Sequence, residues 1–143
     1  MISIQQHDFD IAEEYDSLLH KNSTGAIVTF VGRVRDFAQA DKQFYLQHYP
    51  GMTEKVLTEI EQQAHQRWSL LATRIIHRVG HLQVDDQIVY VGVSSEHRKN
   101  AFQACEYMID ILKTQAPFWK KEGQTWVEAK TSDEAAANIW LQD

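Results

Sequence analysis

The stretch that most limits what this chain can become is 87–117. The nine residues QIVYVGVSS are dominated by apolar and β-branched side chains and read as a strand. Directly after them, Phe102, Cys105, Met108, Ile109 and Leu112 recur at three- and four-residue spacing, the apolar stripe of a helix reaching about residue 115. Ser94 or Ser95 is the expected cap, and Pro117 stops the helix because it has no N–H and its ring clashes with the preceding turn. A strand feeding an amphipathic helix excludes an all-α or all-β chain.

The other elements agree. Residues 2–6 read as a short strand, and 10–19 as a helix capped by Asp10 with Ile11, Tyr15, Leu18 and Leu19 as its stripe. Residues 25–35 (GAIVTFVGRVR) read as a strand with Val28, Phe30 and Val34 on one face and Thr29, Val31, Arg33 and Arg35 on the other. A polar loop at 36–42 leads to a strand at 43–49, ended by Pro50-Gly51. Met52, Val56, Ile60 and Ala64, with Leu57 beside them, mark a helix over 53–68. Strands at 73–82 and 87–95 flank an Asp85-Asp86 turn as a hairpin. A small hairpin over 118–130 turns at Glu122-Gly123-Gln124, and 131–143 is expected as a loose helical tail. Hairpin-linked strands among the helices favour α+β with a mixed or antiparallel sheet over a doubly wound parallel one. With 143 residues and no linker-like segment, 1–143 is expected as one domain.

Composition removes several functions. The net charge of −6 argues against bulk attraction to nucleic acid or an anionic membrane. No uncharged apolar run approaches the roughly 20 residues of a membrane helix, and the first residues carry no leader pattern, so the cytoplasm is the expected setting. Cys105 is the only cysteine, which leaves no intramolecular disulfide and no Cys-based zinc site. Nucleotide-loop, zinc-protease and nucleophile-elbow motifs are absent.

The few cations cluster. Arg33 and Arg35, about 6.6 Å apart along one strand face, suit a phosphate or carboxylate, or are two solvated strand-end arginines. His97, Arg98 and Lys99 open the helix after 95, where cations oppose the helix dipole. An anion bound to the free amides there resolves the conflict; salt-screened surface charge is the alternative. Lys113 lies near that helix's end, where a cation caps the dipole, and Lys120 and Lys121 follow Phe118-Trp119. A lysine near other cations or partly desolvated becomes available as nucleophile or base. Cys105 sits on the apolar stripe and reads as core. His77 and His81 lack a third ligand, so no metal site is expected.

Three segments then carry a specific resemblance: HYPGMTEK (48–55), VGVSSEHR (91–98) and LKTQAPFWKKE (112–122). With FVGRVRDF and IHRVGHL, they resemble the large, catalytic subunit of molybdopterin synthase, in order and at matching separations, from about residue 25 to 130. The resemblance implies an α/β-hammerhead-type fold with an additional small antiparallel sheet. It implies a sulfurtransferase of molybdenum-cofactor biosynthesis that converts cyclic pyranopterin monophosphate to molybdopterin by installing its dithiolene. The sulfur donor implied is the C-terminal Gly-Gly thiocarboxylate of a small ubiquitin-like sulfur-carrier subunit. The implied assembly is a homodimer of this chain within a heterotetramer, with no cofactor and no metal.

Carried over residue by residue, the family's substrate-binding positions fall on Arg33, Val34, Arg35, His97, Arg98, Lys113, Lys120, Lys121 and Glu122, with Lys113 and Lys120 catalytic. At 130 relatives can carry Arg where this chain has Lys, so Lys130 is left outside the core site. Fixed cations suit a substrate bearing a cyclic phosphate and a donor ending in an anionic thiocarboxylate. Lys113 can steer the sulfur and act as acid or base. Fifteen residues separate Arg98 from Lys113, about 22 Å along a helix, so a site using both calls for two copies of the chain. A non-catalytic module that binds a ubiquitin-like protein or a phosphate-bearing ligand is the competing reading.

Overall fold

The computed structural model describes residues 1–128 and 131–141. In chain order the elements are β1 (Ile2–Gln5), α1 (Ile11–Ser17), β2 (Ala26–Arg33), β3 (Phe44–His48), α2 (Met52–Arg67) and β4 (Ala72–Arg78). Then follow β5 (Gly80–Leu82), β6 (Gln87–Ser95), α3 (Arg98–Gln115), β7 (Phe118–Glu122), β8 (Thr125–Val127) and α4 (Thr131–Leu141). Two four-stranded sheets result. The first, β1-β4-β6-β2, is mixed: β1 runs parallel to β4, and the other pairs are antiparallel. The second, β5-β3-β7-β8, is antiparallel throughout. The α+β class and the additional antiparallel sheet are as expected.

The main core lies between the first sheet and helices α2 and α3. Ile75, Val91 and Val93 meet Leu57, Ile60 and Met108 there, all fully buried. Val34, Phe44, Leu46, Val79 and Leu82 form a second core where the two sheets meet. On the far face of the first sheet, Phe9 packs edge-on against Tyr90.

Several expectations are corrected. The 73–82 segment is two strands, not one. Gly80 adopts φ 91°, a left-handed conformation favouring glycine, and breaks the run between β4 and β5. β4 stays in the first sheet while β5 joins β3 in the second. The stripe on α1 is mostly exposed, and Leu18 alone is buried. Leu18 fills the space over Gly92, where a Cβ would come within 2.6 Å of its Cδ1. α1 is therefore held by one plug and the Glu14–Arg74 ion pair (2.9 Å) rather than by a whole face. On α2 the expected Leu57, Ile60 and Ala64 are buried and Val56 packs part-buried against the core, but Met52 is exposed and Thr53 and Glu61 complete the buried face.

On α3 the cap is His97, without a side-chain capping bond, and both serines stay in β6. Phe102 points outward, 61% exposed, while Ala101, Ala104, Tyr107 and Ile111 complete the buried face. Residues 131–141 are helical as expected but not loose. α4 docks on α3, with Ala137 buried and Trp140 Nε1 donating to Asp110 Oδ2 at 2.7 Å. Trp140 also meets Trp68 and Tyr107 edge-on. The expected strand at 125–130 ends at Val127, and Lys130 lies outside the described residues.

Candidate active site

Only Glu96 and His97 separate β6 from α3, so the helix folds back along its own strand. It packs on β6 and β2, running opposite to the first and alongside the second. The C-terminal ends of α3 and β2 therefore lie toward the same end of the first sheet. Lys113 is in the last turn of α3, and Arg33 closes β2. The stack of His77, near the end of β4, on Phe118 of β7 brings the second sheet to that end as well (centroids 4.0 Å apart).

The backbone at the β2 exit is built around a bulge between Gly32 and Arg33. Val34 N–H donates to the Asp86 carbonyl (2.9 Å) and Asp85 N–H to the Val34 carbonyl (2.7 Å). Val34 is thereby buried and its neighbours Arg33 and Arg35 both point outward, as the alternation required. Arg33 is engaged, its Nη1 donating to the Asp85 carbonyl at 2.7 Å. Arg35 makes no hydrogen bond or ion pair among the described residues.

Lys113 is half-exposed, with its Nζ 4.0 Å from Asp133 Oδ1 on α4. Ala116 ends the helix, and after Pro117 the chain enters β7. Strand alternation divides the KKE run. Lys120 and Glu122 share the face that carries Leu46 and Phe44 toward the second core, and Lys120 Nζ lies 3.9 Å from Glu122 Oε1. Lys121 faces the other way, its Nζ 5.6 Å from the centre of the Trp126 ring. A cleft of about 620 Å³ opens here, lined by Phe118, Trp119, Lys120, Trp126, Val127 and Glu128.

His97 and Arg98 sit at the other end of α3, both exposed, in a first turn with no acidic residue. The Ser95 hydroxyl donates to the His97 carbonyl. Within one chain the sequence-derived positions thus form two groups. Arg33, Arg35, Lys113, Lys120, Lys121 and Glu122 lie toward one end, and His97 with Arg98 about 22 Å away by helix rise.

The remaining reactive side chains are accounted for. Burial pushes the Cys105 thiol up to about 12, and its Sγ lies 3.8 Å from the Val91 carbonyl, so it is held as a thiol. His77 and His81 stand in different sheets: His77 is buried, while His81 packs against Tyr45 in the open (4.8 Å). Among the described residues, no group of three His, Cys, Asp or Glu side chains is placed to hold a metal ion. No described helix is long and apolar enough to cross a membrane.

Charge clustering overlooked the buried polar groups behind the lysines. Thr53 is fully buried, and its hydroxyl donates to the Pro117 carbonyl at 2.9 Å. His48 Nε2 lies 3.4 Å from Glu54 Oε1, and His48 pairs with Phe118 across the strands. The available signal was segment 48–55 itself, which carried resemblance without any charge cluster to explain it.

The family model described as "MoaE protein" matches residues 4–115. The chain belongs to that family. A molybdopterin synthase catalytic subunit from Vibrio cholerae is 51% identical, with 97% of each chain covered. That of Escherichia coli is 47% identical over the same shares. The molybdopterin biosynthesis MoaE protein of Burkholderia ambifaria superposes with a TM-score of 0.85 at 46% identity, covering 99% of both chains. A protein-protein complex of subunits 1 and 2 of molybdopterin-converting factor from Helicobacter pylori shares the fold (TM-score 0.75, 21% identity, about nine-tenths of each chain). This family is that of molybdopterin synthase catalytic subunits, enzymes of molybdenum-cofactor biosynthesis.

Proposed function

We propose that this chain transfers sulfur from the C-terminal thiocarboxylate of a small ubiquitin-like carrier subunit to cyclic pyranopterin monophosphate, forming the dithiolene of molybdopterin. The observation that carries the reading is the pair Lys113 and Lys120. The two sit on either side of the Ala116-Pro117 joint, with Lys120 lining an open cleft, toward the end of the fold where Arg35 makes no hydrogen bond or ion pair among the described residues.

Both reactants are anionic, and both lysines are accessible. Lys113 steers the thiocarboxylate and moves protons as its sulfur bonds to a pterin carbon and water then cleaves the acyl–sulfur bond, releasing the carrier as a carboxylate. Lys120, with its ammonium against Glu122 and its stem along apolar surface, orients the pterin or the carrier's tail. Arg35, supported by Arg33 and Val34, takes part of the phosphate charge. Fixed cations stabilise the negative charge that develops as the cyclic phosphate opens, since they need no reorganisation during the reaction.

His97 and Arg98 belong to the same substrate in this reading, but from a second copy of the chain. A two-fold homodimer supplies them across the interface, and a small subunit on each copy completes a heterotetramer. The Helicobacter pylori protein-protein complex of subunits 1 and 2 of molybdopterin-converting factor supports a partner subunit. The setting is the cytoplasm, and the scheme uses neither metal nor redox cofactor.

The deciding experiment supplies purified chain with cyclic pyranopterin monophosphate and thiocarboxylated carrier, then measures sulfur in the product. Two sulfurs per pterin are expected. Binding of both reactants with no sulfur incorporated favours a non-catalytic binding module instead.

A further inference from the structure

The two lysines are joined by a short path through Ala116, Pro117 and Phe118, and that path is gripped on several sides. Thr53 holds one side. Its backbone N–H donates to the Tyr49 carbonyl (2.9 Å), and its hydroxyl accepts from the Tyr49 N–H (2.9 Å). A hydroxyl has one proton to give, and here it goes to the Pro117 carbonyl at 2.9 Å. Thr53 is fully buried, so no bulk water replaces that bond. On the other side Phe118 pairs with His48 across the strands and lies flat on the buried imidazole of His77.

Pro117 is where the chain leaves the helix and becomes a strand. A small rotation there swings β7, and with it Lys120, while Lys113 stays anchored in α3. We propose that Thr53 is a positioning residue for the transfer reaction, its hydroxyl fixing the Pro117 carbonyl and so the spacing and direction of Lys120 relative to Lys113. The inference rests on the sulfur-transfer reading of the two lysines. It also gives segment 48–55 a role: it builds the N-terminus of α2 so that the helix's second residue, Thr53, reaches the joint.

The experiment compares Thr53→Val, which keeps the shape and loses the hydroxyl, with Thr53→Ser, which keeps the hydroxyl. Thr53→Ala is measured alongside in case the valine variant folds poorly, and Ile60→Val serves as a control for core destabilisation remote from the joint. Turnover is expressed per folded molecule. Misplacement of a catalytic group by about 1 Å costs up to roughly a hundredfold. The expected result for Thr53→Val is therefore a fall in kcat of about ten- to a hundredfold, with KM for the pterin within about twofold. Thr53→Ser and Ile60→Val stay near the parent in kcat. Amide exchange in β7 speeds up in Thr53→Val, and not in Thr53→Ser, with or without substrate. The proposal is overturned by unchanged kcat in Thr53→Val and Thr53→Ala, by an equal loss in Thr53→Ser, or by β7 exchange that stays at the parent rate. Lys113→Ala and Lys120→Ala judge the underlying reading separately. Normal turnover in both faults sulfur transfer through the lysines, whereas loss in both with normal Thr53→Val faults only the clamp.

Discussion

The imidazole of His77 lies on the ring of Phe118, centroids 4.0 Å apart and planes 25° from parallel. It is the contact that ties the end of the first sheet to the first residue of β7. His77 Nδ1 lies 3.0 Å from the Arg78 carbonyl, which fits the tautomer with the proton on Nδ1. Burial lowers the imidazole from 6.5 to about 4, so it is neutral at neutral pH.

A pH dependence follows. Between pH 6.5 and about 4 the unfolded chain binds a proton at His77 that the folded chain refuses. Unfolding is then accompanied by proton uptake, so stability falls as the pH drops through that window and levels off below it. The loss attributable to His77 is on the order of 3 kcal/mol. His77→Phe, which keeps a flat ring on Phe118, is expected to flatten the acid limb over this window. Denaturant unfolding of both proteins at pH 7, 5.5 and 4.5 measures it. Parallel curves for parent and variant would remove His77 as the cause.

Lys113→Ala is expected to abolish product formation and leave the fold in place. The side chain is half-exposed, and its ion pair with Asp133 is long at 4.0 Å. Such a contact contributes less than about 1 kcal/mol. Product assay and thermal midpoint measured on the same preparation separate the two effects. Near-normal turnover would contradict the role given to Lys113.

Cys105 is the only thiol in the chain and is held against the Val91 carbonyl inside the core, with its ionisation pushed up to about 12. The sulfur that reaches product is therefore not expected to pass through it. Cys105→Ala is expected to keep most activity and lose about 1 kcal/mol of stability from the small cavity. A persulfide trapped on Cys105 during turnover, joined to an inactive alanine variant, would reverse this.

Much of the scaffold was legible because periodicity reports burial directly. The stripe on α3, the strand 87–95 and the stop at Pro117 all follow from local pattern. Where the pattern misled, tertiary context overrode it. Phe102 has stripe spacing but faces solvent, and the α1 stripe has no layer above it except at Leu18. The break at Gly80 was hidden because apolar residues continue on both sides while the chain changes sheets. The candidate site stood out as charge, since anion chemistry requires cations and this acidic chain has few. Its supports were not. Thr53 and His77 carry no charge at neutral pH, and their value lies in contacts 64 and 41 residues away in sequence. No local pattern encodes such contacts.

The last prediction concerns which copies of the chain make one site. Arg98 and Lys113 are at opposite ends of α3, about 22 Å apart by helix rise along one unbroken helix. Helical side chains lean toward the N-terminus, so Arg98 reaches away from Lys113 and one pterin phosphate does not span both within a chain. If both contact the substrate, Arg98 comes from the partner of a two-fold dimer. Arg98→Ala and Lys113→Ala homodimers then each lack a residue in both of their sites. A mixed dimer has one site missing both residues and one site missing neither. Free exchange gives half of all dimers this composition, each with one intact site of two. The mixture is therefore expected to recover about a quarter of the parent's activity per chain, from inactive components. Subunit exchange is verified by mass spectrometry of differently labelled chains before the assay. Exchange to completion with no recovered turnover would mean that His97 and Arg98 serve the substrate from within their own chain or not at all.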